Sequence, residues 1–191
     1  MPQDIDDIAF EFYGALSKAI PDVQQSIWSL LQLADKEFIP ALSSRQGPKD
    51  TVLDHKNAAT KSLPVDYFHE MSKQPVVVAR LNGKVAGFMS YKTDYEVPET
   101  SEKVHAYVST IIVNPAVRGR KMTARLYQRL FDLLRNNAQE YPILITTRTW
   151  STNINHLTIL RRLGFECIFI GKDGRGMGID TVVYRLKLDR T

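Results

Sequence analysis

Two apolar runs flank an Asn-Gly pair in the middle of the chain: PVVVARL (75–81), Asn82-Gly83, then KVAGFMSY (84–91). Asn-Gly supplies positive φ at both central positions of a type I′ turn, whose twist matches that of paired strands. The segment is predicted as a β-hairpin, so any fold for this chain must hold two antiparallel strands at its centre.

The remaining pattern builds around that hairpin. Ile5, Ile8, Phe12, Leu16 and Ala19 recur at helical spacing, predicting a first helix over 4–19. Pro21 restarts a helix whose face carries Val23, Ile27, Leu30, Leu31, Ala34 and Phe38, with Pro40 ending it. Residues 41–63 are polar and read as a long loop, and 64–71 as a short helix opened by Pro64. KVHAYVSTIIV (103–113) is a strand stopped by Asn114-Pro115, and Met122, Leu126, Leu130, Leu133 and Leu134 define a helix over 119–137. A strand from Pro142, a helix capped by Asn153 and closed at Gly164, and strands 166–170 and 181–188 complete the order. The fold class expected is α/β (α+β), with one mixed sheet and helices on both faces.

Composition narrows the function classes. The 191 residues are 43% hydrophobic and 24% charged, which fits one globular domain and excludes a disordered or low-complexity chain. The single Cys167 cannot form an internal bridge and, inside a strand, reads as an inert core thiol. The acidic N-terminus lacks the features of a signal peptide, and no apolar run approaches a membrane span, so a cytoplasmic protein with no membrane partner is expected. The four histidines and one cysteine show no metal-ligand spacing, and no metal site is expected. GRGMG (174–178) resembles a phosphate loop but leads into a strand, so a hairpin loop is the expectation.

Charge is unevenly distributed. Residues 1–100 hold 10 Lys and Arg against 14 Asp and Glu, whereas residues 101–191 hold 15 against 7. The basic excess starts at Arg118, Arg120 and Lys121 around Gly119, where a strand ends and a helix begins. A helix start leaves backbone N–H groups free and carries partial positive charge, and Gly119 lets a ligand approach the main chain. Together these make a cradle for an anion such as a pyrophosphate. A nucleic-acid partner is disfavoured, because the first half is acidic and the basic helix lacks interleaved aromatics.

V-x-P-x-x-R-G-x at this junction resembles the acyl-CoA-binding motif of the GNAT (general N-acetyltransferase) superfamily, Arg/Gln-x-x-Gly-x-Gly/Ala. STNINHLTILRRLGF (151–165) is similar to that family's second signature, with Asn153, Gly164 and Phe165 in register. ADKEFIPALSSR (34–45) and GIDTVVY (178–184) resemble a little-characterised group of bacterial acetyltransferases within it. The resemblance covers roughly residues 65–190. Three positions depart from it: Lys121 replaces the first motif glycine, Thr123 stands for Gly or Ala, and Leu160 occupies the place of a tyrosine that protonates the leaving thiolate.

The resemblance implies a GNAT-like domain with a mostly antiparallel central sheet, a helical acceptor-side region at 1–63 and an acyl-CoA core at 64–191. It implies acetyl-CoA as acyl donor and a small-molecule or protein amine as acceptor, in a monomer or homodimer. The pyrophosphate would lie on Arg118, Gly119, Arg120, Lys121, Met122 and Thr123. The pantetheine arm would lie along Ile111, Ile112 and Val113, with Asn153 holding it. His156 and His105 are the candidates for proton transfer, each having an ordinary hydrogen-bonded role as its alternative. Asp35, Ser44 and Arg45 are candidate acceptor contacts. A GNAT-like module that senses acyl-CoA without turnover is the competing function.

Overall fold

The computed structural model describes residues 8–45 and 63–190. Seven strands form one sheet: β1 (Ile8–Tyr13), β2 (Val76–Leu81), β3 (Lys84–Val97), β4 (Glu102–Val113), β5 (Ile143–Trp150), β6 (Glu166–Gly171) and β7 (Thr181–Leu188). Their spatial order is β1-β2-β3-β4-β5-β7-β6, and every pairing is antiparallel except β4 with β5. The helices are α1 (Pro21–Ala34), α2 (Val65–Met71), α3 (Met122–Asn137) and α4 (Ile154–Arg162). The Asn82-Gly83 turn takes φ of 50° and 75°, as the type I′ reading requires.

Alternation sorts the two faces of the sheet. Val77 and Ala79 of β2 and Ile143 and Ile145 of β5 join Leu126, Leu130 and Phe131 of α3 and Leu157 of α4 in the main core. Val76 and Val78 pack on the other face with Val23, Ile27 and Leu31 of α1 and Tyr67 and Met71 of α2. Each fully buried aliphatic or aromatic side chain in these layers contributes roughly 1.5–3 kcal/mol relative to exposure. Helices thus cover both faces, as expected.

The first predicted helix is corrected. Residues 8–13 form β1, paired with β2 from Ile8↔Leu81 to Tyr13↔Val76. Ile8 and Phe12 are four apart and suit a helix, but Ile8, Phe10 and Phe12 also alternate, and the free edge of β2 selects the strand. The segment therefore adds an edge strand to an N-terminal region expected to be helical, and residues 1–7 lie outside the described residues. The loop reading of 41–63 falls largely on residues 46–62, also outside it, while Leu42–Ser44 form a 3-10 turn. Cys167 is exposed on β6, not buried, because β6 is the other edge strand. The GRGMG loop does join two antiparallel strands, β6 and β7.

A bulge in β4 sets the geometry of the site. Ser90 pairs with Thr110 and Tyr91 with Val108, leaving Ser109 as the extra residue. Its Oγ donates to Gln74 Oε1 and lies 3.0 Å from Ser90 Oγ. The extra residue reverses the alternation: Ala106 and Val108 face α3, and beyond the bulge Ile111 and Val113 do so while Ile112 joins the α1 layer. On that layer Tyr67 Oη and Thr110 Oγ1 share a buried 2.7 Å hydrogen bond, which ties α2 to the bulged strand. Tyr67→Phe should lower stability by about 1–2 kcal/mol, because it leaves a buried hydroxyl without that partner. Urea denaturation is the measurement, and an unchanged midpoint would show that the bond is not part of the anchoring.

Candidate functional site

β4 and β5 pair over Ala106–Val108 and Ile145–Thr147 and then part. Thr147 Oγ1 donates to Val108 O at 3.1 Å at the fork. Beyond it opens a cleft of about 830 Å³, lined by β4 from Val108 to Val113, the start of α3, one face of α4, and Glu37 and Phe38 after α1. That volume suits a cofactor-sized ligand. From Ser109 onward the edge of β4 facing the gap has no β5 partner, so its main-chain donors and acceptors can pair with an extended, amide-rich ligand.

The turn into α3 points backbone N–H groups at the same cleft. Asn114 Oδ1 accepts from the Ala116 N–H at 3.0 Å and fixes the turn's start. Gly119 and Lys121 both adopt left-handed φ, +83° and +58°. Lys121 is the N-cap of α3 with no side-chain cap bond, and Met122, Thr123 and Ala124 line the cleft at the helix start. First-turn amides have no intrahelical partner, so this end of α3 suits an anion. The left-handed φ at Lys121 also shows why the related motif places glycine there. The helix begins at Met122, three residues later than the predicted start at 119, and Arg120 does not line the cleft.

Arg118 lines the cleft but is ion-paired, its Nη2 2.5 Å from Glu37 Oε2. Both side chains are about half exposed, at 49% and 48%. An ion pair of that exposure contributes only about 0–1 kcal/mol. Arg118 can therefore be released to an anionic ligand at little cost.

On the α4 wall, Asn153, His156, Ile159 and Leu163 face the cleft. Asn153 Nδ2 donates to Thr149 Oγ1 at 3.1 Å. His156 Nε2 lies 3.1 Å from Tyr127 Oη, and burial pushes its pKa down to about 4. Tyr127 is fully buried on α3, and burial raises its pKa. The phenol thus stays protonated and the imidazole neutral. Donation by the phenol to Nε2 would leave the imidazole proton on Nδ1. Leu160 is wholly buried in the main core and does not line the cleft, so His156 shares its cleft-facing stripe with Ile159 instead.

The other candidates are engaged elsewhere. His105 lies near the start of β4, where Nδ1 accepts the Leu144 N–H at 3.0 Å; it does not reach the cleft. Along β4, His105 and Tyr107 share one face, and the bulge takes Ser109 out of that alternation. Asp35 is buried and accepts from the Ser43 N–H at 2.6 Å and Ser43 Oγ at 2.9 Å. Ser44 Oγ donates to Ala41 O at 2.7 Å, and Arg45 Nη2 donates to Pro40 O at 2.7 Å. None of these three lines the cleft; they brace the segment after α1.

In their place the structure supplies Glu37, Phe38, Arg148 and Trp150. The Phe38 and Trp150 rings are 5.7 Å apart, and Arg148 is ion-paired with Glu99 at 2.7 Å. The sequence marks these residues only weakly: Arg148 and Trp150 lie two apart on one face of a strand, and Tyr127 reads as one more apolar position of α3. Among the described residues, no group of three or more His, Cys, Asp or Glu could hold a metal ion, and no helix is long and apolar enough to cross a membrane.

YncA from Salmonella typhimurium, a candidate acetyltransferase seen with its cofactor acetyl-CoA, has the same fold. It superposes with a TM-score of 0.64 at 18% identity, over 97% of this chain and 96% of that one. An N-acetyltransferase from Staphylococcus aureus Mu50 gives 0.62 at 15% identity, over 95% and 99%. No curated protein matches the sequence. The profile of the acetyltransferase (GNAT) family matches residues 45–165, a stretch that includes the bulged strand, the α3 cradle and the α4 wall. The chain belongs to the GNAT acetyltransferase family and is an acetyltransferase.

Proposed function

We propose that the protein transfers the acetyl group of acetyl-CoA to a primary amine by direct attack within a ternary complex. The observation that carries this reading is the parting of β4 from β5 into a cleft that the start of α3 also lines. Residues fitted to the two chemically distinct parts of CoA meet there. The amides of Met122, Thr123 and Ala124, with Arg118, suit the pyrophosphate. The open edge from Ser109 to Val113 suits the amides of the pantetheine arm, with Asn153 at its other side.

Acetyl-CoA supplies an activated carbonyl; the chain's residues hold and polarise it. A backbone N–H on the open β4 edge donates to the carbonyl oxygen as negative charge develops. The C–N bond forms as the C–S bond breaks, the amine gives up a proton and the sulfur becomes a thiol. An alkylammonium of pKa ~10.4 is almost wholly protonated at neutral pH, so the attacking fraction is the free amine. His156, with a pKa of about 4, is too weak a base to remove that proton. Its role is that of a neutral N–H donor to the departing sulfur, with Tyr127 holding the ring.

Three outcomes test this account. Titration of CoA by calorimetry should show Arg118→Glu binding more weakly by about 1–3 kcal/mol, and Glu37→Gln binding up to fivefold more tightly. Unaltered affinity in both folded variants would place the pyrophosphate elsewhere. His156→Ala should lower kcat by roughly 10²-fold on any accepted amine with CoA affinity unchanged, as for loss of one preorganised donor. The kcat profile of the wild type should carry no limb near pH 6.5, since the imidazole stays neutral down to about pH 4. An acidic limb near pH 6.5 that His156→Ala removes would restore the histidine as a base.

The same shift makes a stability prediction. The unfolded histidine takes up a proton below about pH 6.5 and the folded one only near pH 4, so folding is disfavoured as pH falls between those values. The wild type should therefore lose Tm over that interval more steeply than His156→Gln. Parallel Tm curves would contradict a neutral, buried imidazole.

A further inference from the structure

The helix α3 packs over β2, β3 and β4, so the edge strand β1 lies beside it rather than beneath it. Alternation turns Ile8, Phe10 and Phe12 of β1 towards the α3 layer. Ile8 and Phe10 pack against the main core but are only partly buried, and Phe12 is 48% exposed. The step between strand and helix is a hollow of about 400 Å³, lined by Phe10 and by Arg125, Gln128, Arg129 and Asp132 of α3. It shares no lining residue with the cleft.

The charges along this helix wall are unspent. Neither Arg125 nor Arg129 forms an ion pair or a side-chain hydrogen bond among the described residues. Two cations one turn apart on a helix repel each other, and an anion that joins them removes the penalty. Asp132 stands three residues from Arg129 but is not ion-paired with it; it accepts from Gln128 Nε2 at 3.5 Å, the limit of hydrogen-bond reach.

Spacing then selects the ligand. Arg125 and Asp132 are separated by about 10 Å along the helix axis, with Arg129 between them. A ligand that matches this wall carries an anion at the arginine end, a hydrogen-bond donor at that distance for the Asp132 carboxylate, and a flat apolar face for the Phe10 ring. An inorganic anion offers only the first of these. The charges of a zwitterionic amino acid lie too close together to span the wall. A nucleoside monophosphate whose base carries an exocyclic amine offers all three, with a phosphate for the guanidinium forks, a base for the ring and an amine for the carboxylate.

We propose that the hollow between β1 and α3 is a nucleotide site, taking a nucleoside 5′-monophosphate with an exocyclic amine on its base, of which AMP is the simplest example. Arg125 and Arg129 clasp the phosphate, the base lies against Phe10, and Asp132 accepts from the amine with Gln128 beside it. The site is separate from the cleft and does not depend on acetyl transfer as the reaction.

Calorimetry with AMP, on protein saturated with CoA so that the cleft is filled, is the test. One AMP should bind per chain. Adenosine, which lacks the phosphate, and inorganic phosphate, which lacks the base, should each bind at least ~10-fold more weakly, the scale of one charge-assisted contact. IMP, with an oxygen in place of the amine, should bind more weakly than AMP, and Asp132→Asn should erase that preference. Arg125→Gln and Arg129→Gln should each weaken AMP by ~10-fold while changing adenosine and CoA affinity little.

No AMP binding to the CoA-saturated protein, or AMP affinity unaltered in folded Arg125→Gln and Arg129→Gln, would overturn the proposal. Phosphate bound as tightly as AMP would overturn the nucleotide assignment and leave a simple anion site. Equal affinity of the wild type for IMP and AMP would overturn the pairing of the amine with Asp132. AMP that CoA displaces belongs to the cleft and counts against the hollow. Failure to bind CoA would bring down the acetyl-transfer reading alone; AMP binding must still depend on Arg125 and Arg129.

Discussion

The fork between β4 and β5 is the constraint on which the rest of the site depends. Parallel strands in one sheet ordinarily continue side by side; here pairing ends at Val108 and Thr147. The extra residue Ser109 bends β4 and reverses which side chains face which layer. Gln74 and Ser90 hold the Ser109 hydroxyl, and Tyr67 holds the next residue from α2. The divergence is thus built into the packing of both layers. It leaves polar main chain exposed along one strand without exposing a whole sheet edge.

Two charge arrangements meet at that opening. On the α3 side, free helix-start amides and Arg118 offer positive potential to a ligand that arrives already anionic. On the other wall, Arg148 is nearly buried and ion-paired with Glu99, beside the Phe38–Trp150 pair. The Glu37–Arg118 pair spans the two regions at about half exposure, so its rupture is inexpensive and its geometry adjustable. His156, on the α4 wall of the cleft, has its pKa pushed down to about 4 by burial, so it is neutral near pH 7.

The fold was legible where local and tertiary preferences agree. Asn82-Gly83 with its flanking runs, the β4 strand ending at Pro115, and the amphipathic α3 and α4 each carry a signal that packing does not override. Residues 8–13 were misread because Ile8 and Phe12 satisfy two periods at once, and only the vacant edge of β2 separates them. The α3 cradle was legible because its amides follow from the strand–turn–helix order alone. The acceptor side was not. Polar residues after α1 were natural candidates, yet Asp35, Ser44 and Arg45 turned inward to support their own segment. The groups that replaced them, Glu37, Phe38, Arg148 and Trp150, come from the end of α1 and from β5, which become neighbours only when the chain has folded.

Hydrogen exchange resolved at individual amides, with and without acetyl-CoA, tests the central claim most directly. The account predicts that acetyl-CoA slows exchange at amides of the open β4 edge from Ser109 to Val113 and at Met122, Thr123 and Ala124. The paired segment Ile143–Thr147 should be nearly unaffected. Protection confined to other regions, or no protection at the α3 start despite saturating acetyl-CoA, would contradict it.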